Sequence, residues 1–169
     1  ERDVNDKLIR FYNCLKTDAN CEVFVPLCGK SVDLVWLADQ GCQVTGVELS
    51  MVAVKAFAEE NASLNFSFRG SSAISERIQI FCQDFFVFAP SKQFSVVYDR
   101  AALVALPLEM RREYSAKIAS LVTYGGRCLL LTLEYNQELV SGPPFSVAEA
   151  EINDLYGHSF QITVLDRSR

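Results

Sequence analysis

Histidine and tryptophan are nearly missing from this 169-residue chain, which has one of each, His158 and Trp36. A zinc site of the usual kind needs several histidine or thiolate ligands at regular spacing. The six cysteines (Cys14, Cys21, Cys28, Cys42, Cys82 and Cys128) are irregularly spaced and form no close C-x-x-C pair. No metal is therefore expected. Several cysteines sit inside apolar segments, so free buried thiols in a reducing, cytoplasmic setting are expected rather than a disulfide framework. His158 reads as a packed or surface residue rather than a general base, and Trp36 as part of a helix core. Basic charge is also short: 16 Lys and Arg stand against 21 Asp and Glu, a net charge of −5. With no basic stripe, a nucleic-acid backbone is not an expected partner. No apolar run approaches the roughly 20 residues that cross a bilayer, and no signal-peptide pattern is visible. There is no internal repeat, low-complexity tract or linker. The G-x-G-x-x-G pattern of nicotinamide and flavin dinucleotide sites is absent too.

What is present is a well-buried globular composition, 50% hydrophobic, long enough for one domain with one sizeable core. Helical and strand patterns alternate, which predicts an α/β domain with a mostly parallel sheet and helices on both faces. Residues 3–16 read as an amphipathic helix capped by Asp3, with Val4, Leu8, Tyr12 and Leu15 on one face. Glu22–Pro26 is a first strand, Lys30–Gln40 a helix stopped by Gly41, and Gln43–Leu49 a second strand. Ser50 caps the next helix, with Leu49 able to staple onto Val54. Residues 62–77 look like a polar, weakly structured insertion. Ile78–Cys82 and Gln93–Asp99 are the third and fourth strands. Pro107 opens a helix that runs to about Val122. Arg127–Tyr135, the most apolar strand, is expected in the middle of the sheet. Ser146 and Glu149 suggest a capping box for a helix ending near Tyr156, and Phe160–Leu165 a sixth strand. The chain begins at Glu1 and ends at Arg169 just after that strand, so a single domain truncated at both ends is expected.

In an open α/β sheet ligands sit beyond the carboxyl ends of the strands. After the first strand, Leu27, Cys28 and Gly29 form a tight turn that lets backbone N–H groups approach a ligand, or an ordinary strand-to-helix turn. About 20 residues further, Glu48 ends the second strand. A carboxylate there can accept from both hydroxyls of a ribose, as in adenosine-type cofactor sites, or can simply sit at a helix terminus. After the third strand, Asp84 and Phe85 suit an exocyclic amine and a purine face, or a helix cap followed by core aromatics. After the fourth, Arg100 could pair with a cofactor carboxylate or an anionic substrate, or with Asp99 to shape the loop. After the fifth, the stiff Pro143-Pro144-Phe145 segment offers either a rigid apolar pocket wall or a loop whose Phe packs on the core.

Four blocks carry a more specific signal: Val25-Pro-Leu-Cys-Gly-Lys30; Gly46-Val-Glu-Leu-Ser50; Tyr98-Asp-Arg-Ala-Ala-Leu103 with Ala105-Leu-Pro107; and Leu133-Glu-Tyr135 with Gly142-Pro-Pro-Phe-Ser146. In this order they resemble the thiopurine S-methyltransferase family, over nearly the whole chain from Val4 onward. The resemblance implies the class I S-adenosylmethionine-dependent methyltransferase (Rossmann-like) sheet, with a final antiparallel strand missing from this chain. It implies S-adenosylmethionine as cofactor, contacted by Leu27, Gly29, Glu48, Asp84, Phe85 and Arg100. Arg100 also lies on the substrate side, and Pro144 and Phe145 line the substrate pocket. The implied reaction is methyl transfer to an aromatic or heterocyclic thiol by a cytoplasmic protein, expected to be a monomer. The family's tryptophan-bearing N-terminal lid and a further substrate-side arginine have no counterpart in these residues. Other soft nucleophiles (halide, thiocyanate, selenium or tellurium oxyanions) are an alternative set of acceptors. A nicotinamide-dependent oxidoreductase and a non-catalytic binding domain are the readings from other classes.

Overall fold

The computed structural model describes residues 3–15 and 21–168. Seven strands form one sheet: β1 (Glu22–Val25), β2 (Gln43–Glu48), β3 (Ser67–Arg69), β4 (Ser72–Ile74), β5 (Ile78–Cys82), β6 (Phe94–Arg100) and β7 (Val122–Leu131). Their order is β3-β4-β5-β2-β1-β6-β7. β5, β2, β1, β6 and β7 are parallel neighbours, and β4 joins antiparallel. The helices are α1 (Asp6–Leu15), α2 (Asp33–Asp39), α3 (Met51–Glu60), α4 (Leu108–Leu121) and α5 (Glu149–Tyr156).

Strand alternation sorts the core into two layers. Val23, Val25, Val44, Ile80 and Val96 face α1, α2 and α3, where they meet Leu8, Leu34, Leu37, Val54 and Phe57. Phe24, Val47 and Val97 face α4 and α5, where they meet Tyr114, Ile118, Leu121 and Tyr156. An aromatic stack anchors the second layer: Phe24 lies 4.9 Å from Phe94 and 5.5 Å from Phe88, ring centre to ring centre. Each such pair adds about 0.5–1.5 kcal/mol beyond the area it buries.

The alternating helix and strand order is as the pattern predicts, but several local expectations are overturned. The first helix is capped by Asn5, whose Oδ1 accepts from Lys7 N at 3.0 Å, and not by Asp3; the predicted end at residue 16 lies outside the described residues. The helix expected over Lys30–Gln40 is confined to α2, because the turn after β1 runs on to Val32 before helical bonding begins. Ser50 does cap α3, accepting from Ala53 N at 3.3 Å. Leu49 does not staple onto Val54: it is 72% exposed. The polar segment 62–77 is no loose insertion. Its alternating Phe66, Phe68 and Ala73 support the β3–β4 hairpin, with Phe66 against Phe57 and Ala73 buried. The most apolar strand, β7, lies at the edge of the sheet among the described residues, not in its middle. It is apolar because both faces are covered: Leu129 and Leu131 pack with the α1 side, Cys128 and Leu130 with the α4 side. No capping box forms before α5, because the Ser146 hydroxyl accepts from Tyr135 N instead. Residues 160–165 form no strand; Phe160 and Ile162 only pack against the second layer.

Candidate functional site

The chain runs from β1 outward to β2 and β5 on one side, then returns to β6 and β7 on the other. The switch point is therefore between β1 and β6, and open α/β sheets have their ligand crevice there, beyond the carboxyl ends. Backbone strain gathers there. Leu27, just past β1, has φ +45°, and Ala101, just past β6, has φ +63°. Non-glycine residues hold such angles only when their surroundings force them to, and they concentrate at functional sites. Gly29 has φ +54°, and a side chain placed on it would meet nothing within 4 Å, so the turn leaves open space above its backbone.

Glu48 is welded to this turn. Its Oε2 accepts from Gly29 N at 2.9 Å and its Oε1 from Ser50 N at 2.8 Å. The backbone repeats the link, with Cys28 N donating to Val47 O at 3.0 Å. Both carboxylate oxygens are thus held in place, and each keeps acceptor capacity for a further donor. Gly46 makes this possible: a Cβ there would sit 2.7 Å from Cys28 Sγ. The Cys28 thiol is pushed well up from its ordinary range, first by burial and then by the charge of Glu48. Cys82, opposite Glu48 across β2 and β5, shifts the same way for the same reasons. Both stay protonated, so neither is a competing thiolate nucleophile.

Asp84 follows β5 at the next position along the crevice, since Gln83 N donates to Glu48 O at 3.1 Å. Its carboxylate is exposed and caps the turn Phe85–Val87, accepting from Phe86 N at 2.9 Å. The Phe85 ring does not face the crevice. It is 4% exposed and packs 4.8 Å from Tyr114, beside Phe24. Covering a purine with that ring is therefore corrected; only the backbone of Phe85 lies at the strand end. Exposed apolar side chains beside Glu48 and Asp84 are Leu49, which the sequence reading took only for a staple, and Val87, which it passed over.

Arg100 and Asp99 do not pair, because neighbours in a strand point to opposite faces. Asp99 turns toward α4, where its buried carboxylate accepts from Tyr114 Oη at 2.7 Å and Leu103 N at 3.3 Å. Burial pushes its carboxyl up to about 6, with those hydrogen bonds opposing. Arg100 turns toward α2 and donates from Nη1 to Asp33 Oδ2 at 3.0 Å. Asp33 was missed in the sequence. Its one signal was an acid four residues before Leu37, on the inner face of the helix.

The 142–146 segment packs against the loop after β6. Phe145 N donates to Val104 O at 2.6 Å, placing its half-buried ring beside the loop after β6. The Tyr135 hydroxyl donates to Pro144 O. Arg111, buried in α4, donates to Leu106 O at 2.9 Å, Ser146 O at 3.2 Å and Glu151 at 2.8 Å. Its guanidinium lies 5.8 Å from the Phe145 ring centre. Leu27, Gly29, Glu48, Asp84 and Arg100 thus lie at the ends of adjacent strands, with Phe145 against the loop after β6. An acceptor-only carboxylate beside open backbone fits a ribose-bearing cofactor. Among the described residues no cluster has the makings of a metal site, and no helix is long and apolar enough to cross a membrane.

The family model described as Thiopurine S-methyltransferase (TPMT) matches residues 1–169. The thiopurine S-methyltransferase of Aliivibrio fischeri strain MJ11 is 46% identical over 169 residues, covering 98% of this chain and 78% of that protein. The one from Vibrio cholerae serotype O1 strain O395 is 48% identical over 158 residues, covering 91% and 72%. Among solved structures, magnesium protoporphyrin IX methyltransferase (ChlM) from Synechocystis PCC 6803 with bound SAM superposes with a TM-score of 0.70 at 18% identity, covering 91% of this chain and 65% of that one. The glycopeptide N-methyltransferase MtfA complexed with SAM gives a TM-score of 0.63 at 22% identity, covering 84% and 55%. These structures share the class I methyltransferase fold.

Proposed function

The chain belongs to the thiopurine S-methyltransferase family, and from that membership we propose that its crevice binds S-adenosylmethionine and directs the methyl group to the sulfur of an aromatic or heterocyclic thiol. The observation that carries this reading is the Glu48 carboxylate, held by Gly29 N and Ser50 N at the switch point of the sheet. Glu48 accepts from the ribose hydroxyls. The backbone at Leu27 and Gly29 lies against the amino-acid end. Asp84 accepts from the adenine amine, with the Phe85 backbone beside it and Leu49 and Val87 supplying apolar cover. Arg100 stands at the methionine end and the acceptor side, and Pro144 and Phe145 wall the acceptor.

When bound, the cofactor supplies a methyl group already activated on a sulfonium. The residues of this chain align and enclose; none has to act as a strong base, since an aromatic thiol ionises readily and thiolate is the reactive form. That agrees with His158 lying exposed on the tail after α5. The reading has the protein acting on a small molecule as a monomer, in a cytoplasm that suits its six free thiols.

Calorimetry and a radiolabelled methyl-transfer assay test the proposal together. Glu48→Gln should weaken S-adenosylhomocysteine binding by about 10- to 100-fold, since a hydrogen bond to a charged acceptor is worth about 1.5–3 kcal/mol. Purine thiols should accept label, with iodide, thiocyanate and chalcogen oxyanions run beside them. Binding of NAD with no binding of S-adenosylhomocysteine would overturn the cofactor. Labelling of iodide but of no thiol would overturn the acceptor class.

A further inference from the structure

The loop 134–146, between β7 and α5, is closed at its base. Val147 N donates to Leu133 O at 2.8 Å, and Tyr135 N to Ser146 Oγ at 3.0 Å. One side chain bridges its interior. Gln137 Oε1 accepts from Ser146 N at 2.7 Å, while Nε2 donates to Tyr135 Oη at 3.1 Å and to Val140 O. The Tyr135 hydroxyl in turn donates to Pro144 O. The amide is therefore read at both ends. Ser146 N can only donate and Val140 O can only accept, so the position needs an acceptor and a donor at the same reach. Glutamine supplies both. A glutamate would set an oxygen against the Val140 carbonyl, and a leucine would leave all three partners to water.

These bonds converge on Phe145. Pro144 O is held by Tyr135, Phe145 N by Val104 O at 2.6 Å, and Ser146 N by Gln137. Connecting loops run over the surface, where water can satisfy such groups, and they are mobile for that reason. Ordering a loop and a long side chain costs entropy, and what that order secures here is the place of the half-buried Phe145 ring. The following rests on the reading of Pro144 and Phe145 as the wall of the acceptor. A wall carried on a loop is only as selective as the bonds that hold it, because a displacement of about 1 Å is enough to spoil alignment.

We propose that Gln137 is a positioning residue that fixes the Phe145 wall through Tyr135 and Ser146, and thereby sets which aromatic thiols the site accepts. Its role is exercised through Phe145 and not by contact with the acceptor.

Calorimetric titration of mercaptopurine and of benzenethiol onto protein saturated with S-adenosylhomocysteine reads this selectivity without turnover. Wild type, Gln137→Glu, Gln137→Leu and Phe145→Ala are compared. Mercaptopurine has a second ring to accommodate and depends more on the place of the wall. Both Gln137 variants should raise its Kd relative to that of benzenethiol by about fivefold, the worth of one hydrogen bond, with S-adenosylhomocysteine binding unchanged. Amide exchange at Ser146 should quicken by about tenfold or more in Gln137→Leu. A purely structural Gln137 would lower the urea midpoint and leave the ratio alone, so an unchanged ratio in the folded variants overturns the proposal, as does wild-type exchange at Ser146. Should both variants fail to fold, Tyr135→Phe, which cuts the arm to Pro144, must still raise the ratio; no change overturns it. If Phe145→Ala leaves the ratio unchanged, or wild type binds S-adenosylhomocysteine but neither thiol, the reading of the acceptor side fails and takes this inference with it. If Phe145→Ala shifts the ratio and the Gln137 variants do not, only the role of Gln137 is lost.

Discussion

Glu48 and Gly29 show how little room a single position leaves at this site. The acid is held still by two backbone N–H groups, and one of them, that of Gly29, comes from a turn that must pass close over β2. Gly46 allows that passage. Gly46→Ala would press a methyl group to 2.7 Å from Cys28 Sγ, with Leu34 close behind at 3.3 Å. Overpacking of this kind costs about 1–3 kcal/mol. A urea titration should register that loss, and the displaced turn should also weaken S-adenosylhomocysteine binding. Wild-type stability in Gly46→Ala would mean that the Cys28 turn yields freely. At this scale the sequence was legible where one residue type meets a stringent demand, as for Gly29 and Glu48. It misled at Phe85. An aromatic after an acid at a strand end suits a cofactor wall, but hydrophobic burial against Phe24 and Tyr114 claims the ring.

Between elements, Arg111 fixes the proposed acceptor wall as Gly29 N and Ser50 N fix Glu48. From α4 it reaches the loop after β6, the 142–146 segment and α5 at once. Nothing in its surroundings in sequence marks it: a basic residue in a polar helix normally faces water. Arg111→Ala should destabilise the domain by about 3 kcal/mol, the lower end for breaking a buried ion pair, because Glu151 keeps some access to water. It should also loosen Phe145 and raise the acceptor KM more than the cofactor KM. Equal effects on both constants would detach the segment from the acceptor. The Pro-Pro-Phe motif was readable as a stiff wall. Which loop it leans on was not, because its bond to Val104 joins segments that share no pattern.

Over the whole molecule, Asp99 ties β6, the following loop and α4 together through a carboxylate in the core, and this makes stability depend on pH. Its carboxyl lies near 6 in the folded protein, against about 3.8 when exposed. Between those values the folded state binds more protons than the unfolded chain, so stability falls as pH rises through the window. Below it the favourable contribution is complete, and above it at most about 3 kcal/mol has been lost. Asp99→Asn abolishes the slope. Relative to wild type, it should gain up to about 3 kcal/mol between pH 4 and pH 7 in chemical denaturation; parallel curves for the two proteins would refute this.

The order of the five parallel strands and the five helices, the turn after β1 and the acid at the end of β2 follow from the sequence alone. Each is written in a short stretch of chain, as a period of apolar residues or a residue type that a tight turn demands. The tertiary structure alone decided that β7 lies at the edge, that residues 62–77 form a hairpin, that Phe85 turns inward and that Arg100 faces Asp33. Those outcomes depend on partners far apart along the chain, 67 residues in the case of Asp33 and Arg100. A contact of that kind leaves no local pattern, because its energy arises only when separate elements pack together.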